Sequence, residues 1–335
     1  MTRLRPLTAT SVSRAFKGHQ AVLDASLTLE PGQITALIGQ SGSGKTTFLR
    51  LLAGMERPDT GEIRAGDDVL ASATKHVPVE TRKIGLVFQD FALFPHLDVV
   101  ENVMFGLRDI PKADRAGIAD RWIETLGLSH RRAAYPHQLS GGEQQRTAIA
   151  RALAPEPVAI LLDEPFSGLD PAMRDRARDV ALGAVRDAGI PALLVTHDAK
   201  EALVHADKVA IIDKGHILQT GAPARVYQAP QTLAAAQALG TVHSLNRSAL
   251  PEIWQNSLQA SAETLHYRPE AIRMGDQVDA IVLRTQHAGP VYELTLEIGD
   301  QVSVHATCQP DQPVHAGDRV QLSINPDLVF DFSNR

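Results

Sequence analysis

Short apolar runs alternate with helix-like segments along the first two-thirds of the chain. Residues 158–162 and 192–196 are nearly unbroken apolar runs, which is the pattern of strands buried on both faces of a sheet. Residues 209–218 have the pattern of a strand, a tight turn and a returning strand. This alternation predicts an α/β domain with a largely parallel sheet over residues 1–240.

The pattern changes after Gly240, where an Ala-rich helical segment ends. From residue 277 onward, apolar and polar residues alternate in short segments that are separated by glycine-containing turns. These segments are residues 278–283, 291–296 and 302–306. They predict a small antiparallel β-barrel or sandwich within a second domain, residues 241–335.

Composition restricts the classes of function that remain. A net charge of −6 over 335 residues argues against nucleic acid as the main partner. No apolar run approaches the roughly 20 residues that span a bilayer, and the N-terminus lacks the apolar core of a secretory signal. Any association with a membrane is therefore expected to come through a protein partner. The single cysteine, Cys308, excludes an internal disulfide and favours a reducing cytosol.

A complete phosphate-binding loop lies between a strand-like segment, residues 33–38, and a helix-like one, residues 47–52. Its residues are Gly39, Gln40, Ser41, Gly42, Ser43, Gly44, Lys45 and Thr46, followed by Thr47. The glycines let consecutive backbone N–H groups point at phosphate oxygens, and the helix N-terminus adds a positive dipole end. Lys45 can reach the β- and γ-phosphates, and the Thr46 hydroxyl can ligate Mg²⁺. The sequence therefore predicts binding of a nucleoside triphosphate.

Two carboxylates end the apolar run at residues 158–162. A carboxylate at the end of a buried strand is costly unless it meets a cation, so Asp163 is a candidate Mg²⁺ ligand, directly or through water. Glu164 follows it and can polarise a water molecule for attack on the γ-phosphate.

Ser140, Gly141 and Gly142 open another helix-like segment, which predicts a second anion-binding helix N-terminus. Lying between the phosphate loop and the acidic strand, this segment resembles the signature segment of the ATP-binding subunits of ABC transporters. The resemblance covers residues 8–240. It implies a P-loop NTPase fold with a RecA-like core, an antiparallel β subdomain and a helical subdomain that carries the signature.

The same resemblance suggests roles for further residues. Gln89 matches the glutamine that contacts metal and water, and His197 matches the histidine that senses the γ-phosphate. Asp170 lies in a loop that matches one crossing the dimer interface. Phe16 stands where the family usually has a tyrosine stacking on adenine, so weak selectivity for ATP over GTP is expected.

The family resemblance implies an ATP- and Mg²⁺-dependent ATPase in which two copies face head to tail. Each phosphate loop would lie opposite Ser140, Gly141, Gly142 and Asp170 of the partner subunit. Hydrolysis would use Glu164 as base, Thr46, Gln89 and Asp163 around Mg²⁺, and His197 with Gln89 to align water and phosphate. The apolar loop at residues 90–97, with Phe94, is expected to receive a helix of a membrane permease.

The C-terminal segment Arg268-Pro269-Glu270 and the strands after it resemble the OB-fold-like accessory domain of importer ATPases. This implies a peripheral location on the cytoplasmic side of the inner membrane and a solute-binding protein acting through the permease. His287, His305 and His315 match no standard metal spacing. Ferric iron is the favoured solute; polyamine, sulfate and thiamine remain open, as do a soluble ABC ATPase of translation or DNA repair and a P-loop kinase.

Overall fold

The computed structural model describes residues 4–258, 262–299, 301–309 and 314–333. The chain forms two compact units, residues 1–223 and 224–335. The division predicted from the sequence lies after Gly240, at the end of the Ala-rich helix. In the structure, that helix is tied to the second unit by Arg268, which is fully buried and donates through Nη2 to the Ala236 carbonyl at 3.2 Å.

The first unit contains ten strands and six helices within the described residues. The strands are β1 (Leu7–Phe16), β2 (His19–Leu29), β3 (Ile34–Ile38), β4 (Thr60–Ala65), β5 (Asp68–Ser72), β6 (Ile84–Val87), β7 (Ala159–Asp163), β8 (Ala192–Thr196), β9 (Lys208–Asp213) and β10 (His216–Gly221). The helices are α1 (Lys45–Ala53), α2 (Val99–Phe105), α3 (Lys112–Thr125), α4 (Gly141–Leu153), α5 (Pro171–Asp187) and α6 (Ala199–His205).

A six-stranded sheet of order β10-β9-β3-β8-β7-β6 forms the centre of this unit. Its pairs are parallel, except that β10 runs antiparallel to β9. Residues 159–162 of β7 and every residue of β8 are buried, which confirms the prediction drawn from the unbroken apolar runs. Because parallel strands share one carboxyl edge, the segments after β3, β7 and β8 meet there, as expected for a ligand site in an open α/β sheet.

The same unit contains a separate antiparallel sheet of order β2-β1-β4-β5. Phe48 and Leu52 of α1 belong to the same buried core as residues of both sheets. Arg82 closes the C-terminal end of α1, because its Nη1 donates to the Leu51 and Leu52 carbonyls at 2.9 Å each. Burial lowers the pKa of Arg82 to about 10. The phosphate-loop helix is thus fixed at its far end.

The second unit contains two sheets, of orders β11-β12-β17 and β15-β14-β13-β16, whose pairings are all antiparallel. Its strands are β11 (His243–Asn246), β12 (Thr264–Tyr267), β13 (Ile272–His287), β14 (Tyr292–Ile298), β15 (Val302–Cys308), β16 (Arg319–Ile324) and β17 (Val329–Phe330). Its helices are α7 (Pro223–Gln228), α8 (Leu233–Ala238) and α9 (Glu252–Ser257). Trp254, Tyr267 and Leu322 lie in its own apolar core.

None of the helices in the described ranges combines the length and apolar character that a bilayer crossing requires. The described residues also contain no group of three or more His, Cys, Asp or Glu side chains that could hold a metal ion.

Candidate functional site

The phosphate loop runs from the end of β3 to the start of α1, and two of its glycines are required by close contacts. A Cβ atom at Gly39 would lie 2.1 Å from the Ile212 carbonyl oxygen. One at Gly44 would lie 2.3 Å from the Ala21 carbonyl oxygen, and Gly44 has a φ of 108°. Any side chain at these positions would displace backbone, so the tight curl of the loop depends on glycine.

Lys45 is the buried charge of this loop, with 7% of its surface exposed. Its Nζ donates to the Gly39 carbonyl at 2.7 Å and to the Gln40 carbonyl at 3.0 Å. Burial lowers the pKa of Lys45 below its ordinary value, although the negative charges of Glu164 and Asp163 oppose the shift. A bound phosphate would give the Lys45 ammonium group a negatively charged partner in addition to these neutral carbonyl groups.

A cleft of about 610 Å³ opens over the loop. Its lining residues are Phe16, His19, Ala21, Ser41, Gly42, Gly44, Lys45, Thr46, Thr47, Glu164 and His197. The volume lies within the range of small-molecule and cofactor sites. The structure therefore brings the predicted adenine-stacking residue, most of the phosphate loop and two predicted catalytic residues to one cleft.

Phe16 forms a wall of the cleft and is 38% exposed, so its ring is accessible to a base. The Arg14 guanidinium lies 4.8 Å from the centroid of that ring. Arg14 is held in turn by Asp59 at 2.8 Å and Glu56 at 3.0 Å, and its pKa is raised, chiefly by the hydrogen bond to Asp59. The Phe16 ring is thus in contact with a guanidinium that two carboxylates hold in place.

Glu164 and His197 contact each other at the carboxyl edge of the sheet. The Glu164 Oε2 and His197 Nδ1 atoms are 3.0 Å apart. Glu164 has a left-handed backbone, with φ of 44°, and its N–H donates to the Val195 carbonyl at 3.0 Å. Left-handed non-glycine residues are costly and often lie at functional sites, where the surrounding structure holds them.

Asp163 ends β7 and is partly buried. Burial raises its pKa, and the neighbouring Glu164 charge raises it further. A bound divalent cation would oppose both effects and lower the pKa of Asp163, because a nearby positive charge favours the ionised carboxylate. Thr46, Gln89 and Asp163 offer hydroxyl, amide and carboxylate oxygens, which are the ligand types that Mg²⁺ prefers. The donor set therefore fits Mg²⁺.

Gln89 is exposed and does not line the cleft. Its Nε2 donates to the Ser167 Oγ at 3.4 Å, and that hydroxyl donates to the Glu164 carbonyl at 3.0 Å. Gln89 is thus linked through one side chain to the backbone of Glu164.

The N-terminus of α4 lies outside the cleft lining of its own chain. Ser140 caps the helix in a reciprocal capping box with Glu143, and the Ser140 N–H donates to Glu143 Oε2 at 2.8 Å. The pKa of Glu143 is lowered to about 2, because hydrogen bonds from Ser140 and Arg131 outweigh the opposing effect of burial. Ser140 itself is exposed, so the cap leaves the helix end accessible.

The two glycines after Ser140 pack closely against other parts of the fold. A Cβ atom at Gly141 would lie 3.0 Å from Leu169 Cδ2, and one at Gly142 would lie 3.3 Å from Ala177 Cβ. Asp170 is exposed one residue after Leu169. The cleft lining of the same chain therefore does not include the residues that were predicted to act across a dimer. These residues are Ser140, Gly141, Gly142 and Asp170.

Sequence reasoning missed Arg14 and His19, which support and line the cleft. Both come from the hairpin of β1 and β2, and no motif marks them. The proximity of Arg14 and Asp59 arises from pairing between β1 and β4, which local sequence does not reveal.

Residues 22–167 match the sequence profile of the family described as ABC transporter, and residues 267–332 match that of the TOBE domain. The chain is 44% identical over 236 residues to the Fe(3+) ions import ATP-binding protein FbpC 2 of Pectobacterium atrosepticum, covering 70% of this chain and 68% of that relative. It is 38% identical over 323 residues to the sulfate/thiosulfate import ATP-binding protein CysA of Gloeobacter violaceus, covering 91% of this chain and 92% of that relative.

The fold also matches a solved dimeric ATP-binding cassette in a post-hydrolysis state, bound to ADP and Pi. The TM-score is 0.57 at 27% sequence identity, and the match covers 65% of this chain and 98% of that chain. These findings confirm the resemblance, the P-loop NTPase fold and the accessory domain expected from the sequence. The chain belongs to the ABC transporter family, as an ATP-binding subunit that hydrolyses ATP.

Proposed function

We propose that this chain energises import of a solute across the cytoplasmic membrane through a partner permease, on whose cytoplasmic side it is bound. The observation that carries the proposal is the division of the site. One chain supplies a cleft with Lys45, Glu164 and His197, whereas the capped helix end at Ser140 lies outside that cleft. Two copies facing head to tail complete both sites, and the structural relative named above is a dimer.

Within each composite site, Lys45 and the loop amides bind the phosphates and Phe16 stacks on the base. Thr46, Gln89 and Asp163 would hold Mg²⁺, and the bound ion would neutralise charge on the phosphate oxygens. Glu164 takes the proton of the attacking water, and its contact with His197 orients the carboxylate. Ser140, Gly141, Gly142 and Asp170 of the partner subunit close over the nucleotide.

ATP is bound by both chains only in the closed dimer, so binding shifts the population towards closure and hydrolysis reverses it. A permease would couple this motion to a solute pathway that opens first to one side of the membrane and then to the other. A solute-binding protein that delivers cargo to the permease is part of the proposal. ATP is the proposed nucleotide, with weak selectivity against GTP.

Glu164→Gln is expected to abolish hydrolysis while preserving ATP binding, because the amide keeps the shape of the side chain and loses the basic carboxylate. Sedimentation in Mg-ATP should then show a stable dimer. The double variant Lys45→Ala/Glu164→Gln is the control and should remain monomeric. Hydrolysis at the wild-type rate by Glu164→Gln would remove Glu164 from the assigned role.

Ferric iron is the proposed solute, supported by the likeness to the iron-import relative. Sulfate is the first alternative, supported by the relative with the longer match, and polyamine and thiamine follow. Uptake of labelled ferric iron should fail in a strain lacking this chain and return with the wild-type chain but not with Glu164→Gln. Normal iron uptake with loss of sulfate, polyamine or thiamine uptake would replace iron by that solute.

A soluble ABC ATPase acting in translation or DNA repair is the alternative from a different class. The import proposal is favoured by the TOBE-domain match and by the import proteins among the relatives. Co-purification with a permease distinguishes the two functions.

A further inference from the structure

Two consecutive non-glycine residues shortly after Gln89 have left-handed backbones. Phe91 has a φ of 61° and Ala92 a φ of 44°. The left-handed backbone conformation is unfavourable for residues that carry a Cβ atom. It persists at such residues only where the surrounding structure holds them. The contacts that hold Phe91 and Ala92 in this conformation therefore determine the path of the chain after Gln89.

Arg151 holds both Phe91 and Ala92 through hydrogen bonds to their carbonyl groups. Its Nη1 donates to the Ala92 carbonyl at 2.7 Å, and its Nη2 donates to the Phe91 carbonyl at 3.0 Å. The guanidinium also lies 5.5 Å from the Phe94 ring centroid. Burial lowers the pKa of Arg151, as expected for a cation largely removed from water. Charge-assisted hydrogen bonds in such surroundings are stronger than neutral ones.

Arg151 lies in the last turn of α4, the helix that begins at the Ser140 cap. Helix α4 packs closely against the C-terminal end of α2 here, since a Cβ atom at Gly106, the residue that follows α2, would lie 2.7 Å from the Arg151 carbonyl oxygen. One continuous helix thus connects the segment at residues 140–142 with the strained pair.

The other end of the loop is held independently by Asn102 of α2. Asn102 is fully buried; its Oδ1 accepts from the Phe94 N–H at 2.9 Å, and its Nδ2 donates to the Leu97 carbonyl at 2.9 Å. Asn102 therefore fixes residues 94–97 relative to α2, which leaves Arg151 to fix the pair nearest Gln89.

We propose that Arg151 is a positioning residue for Gln89. It holds Phe91 and Ala92 in their strained conformation, and it transmits movement of α4 at the partner's nucleotide to the loop that carries Gln89. The inference rests on the proposed function, in which Gln89 is one of the residues that would hold Mg²⁺ for hydrolysis.

The first test is steady-state ATP hydrolysis by the full chain. Arg151→Met should lower kcat about tenfold, because two charge-assisted hydrogen bonds are lost, while the KM for ATP stays within about twofold of wild type. Adding Ala92→Gly should restore kcat by at least about threefold, since glycine adopts the left-handed conformation without strain. Arg108→Met is the matched control, because Arg108 stacks on Phe105 at 3.7 Å, and it should be close to wild type.

A second variant leaves Arg151 intact. Ala92→Val places a β-branched residue in the left-handed region at an exposed position. It should lower kcat in the same way as Arg151→Met, with KM preserved. If glycine fails to rescue Arg151→Met, or if valine at residue 92 leaves kcat unchanged, the strained pair does not position Gln89.

Combination with Gln89→Ala separates this inference from the proposed function. If Arg151 acts through Gln89, Arg151→Met should lower the kcat of the Gln89→Ala variant by less than about twofold. A full tenfold further loss would overturn the inference alone. Unchanged kcat in Gln89→Ala would instead show that the proposed role of Gln89 is wrong, and the inference would fall with it.

Discussion

At the scale of single residues, the site depends on groups held in costly states. Lys45 is a cation buried against loop carbonyls, and Glu164 has a left-handed backbone beside His197. The sequence predicted roles for both residues from their type and spacing, and the structure places both of them in the lining of the cleft. The sequence could not predict the backbone of Glu164, because that conformation is imposed by the hydrogen bond to Val195 across the sheet.

Phe16→Ala should raise the KM for ATP about tenfold, because stacking on one aromatic ring contributes about 1–3 kcal/mol per base. The KM for GTP should rise by a similar factor, since stacking does not distinguish the purines. Phe16→Tyr is the matched control and should resemble wild type. Kinetics with both nucleotides check this, and unchanged KM values in Phe16→Ala would remove Phe16 from the binding surface.

At the scale of elements, the N-terminus of α4 combines an exposed cap with a buried carboxylate. Ser140 and Arg131 hold Glu143 in its ionised form and lower its pKa to about 2 from an ordinary value of 4.5. A lowered pKa stabilises the folded state above the ordinary value, and this stabilisation is lost as pH falls through 4.5 towards 2.

Glu143→Gln should therefore unfold at lower denaturant concentration than wild type at pH 7. The difference should shrink as the pH is lowered below about 4.5, because Glu143 of the unfolded wild-type chain then becomes protonated, whereas in the folded chain it stays ionised until the pH approaches 2. Glu101→Gln, which removes the capping carboxylate of α2, is the control with a smaller expected loss at pH 7. A difference between Glu143→Gln and wild type that is constant from pH 7 to pH 3.5 would contradict the assignment.

Prediction of elements from sequence succeeded where burial alone decides the structure. Strands β7 and β8 followed from unbroken apolar runs, and helix α4 from its Ser-Gly-Gly start. The antiparallel sheet of β1, β2, β4 and β5 was expected only through family resemblance, since its strands have frequent register shifts. The strained pair at Phe91 and Ala92 has no sequence signal, because Arg151 is distant in sequence.

At the scale of the whole molecule, the proposed function couples nucleotide chemistry to a permease that crosses the membrane. Phe94 lies in the loop after Gln89 and packs against Phe105, with ring centroids 4.1 Å apart. The predicted contact of this loop with a permease helix stays a prediction.

Phe94→Asp should abolish transport while sparing the basal ATPase, because a charge disrupts an apolar contact surface without touching the cleft. Transport and phosphate release should be measured together on the chain reconstituted with its permease. Asp90→Asn, in the same loop, is the control and should support transport. Transport at the wild-type rate by Phe94→Asp would exclude this loop as the coupling surface.

The central claim is that each nucleotide is held between two identical chains, and mixing two inactive variants tests it directly. Lys45→Ala destroys the phosphate loop, and Ser140→Arg destroys the surface offered to the partner. When the two are mixed equally, half of the dimers combine both variants, and each such dimer has one intact site. ATPase activity should therefore recover to about a quarter of the wild-type rate. No recovery, or full activity of Ser140→Arg alone, would contradict a site shared between chains.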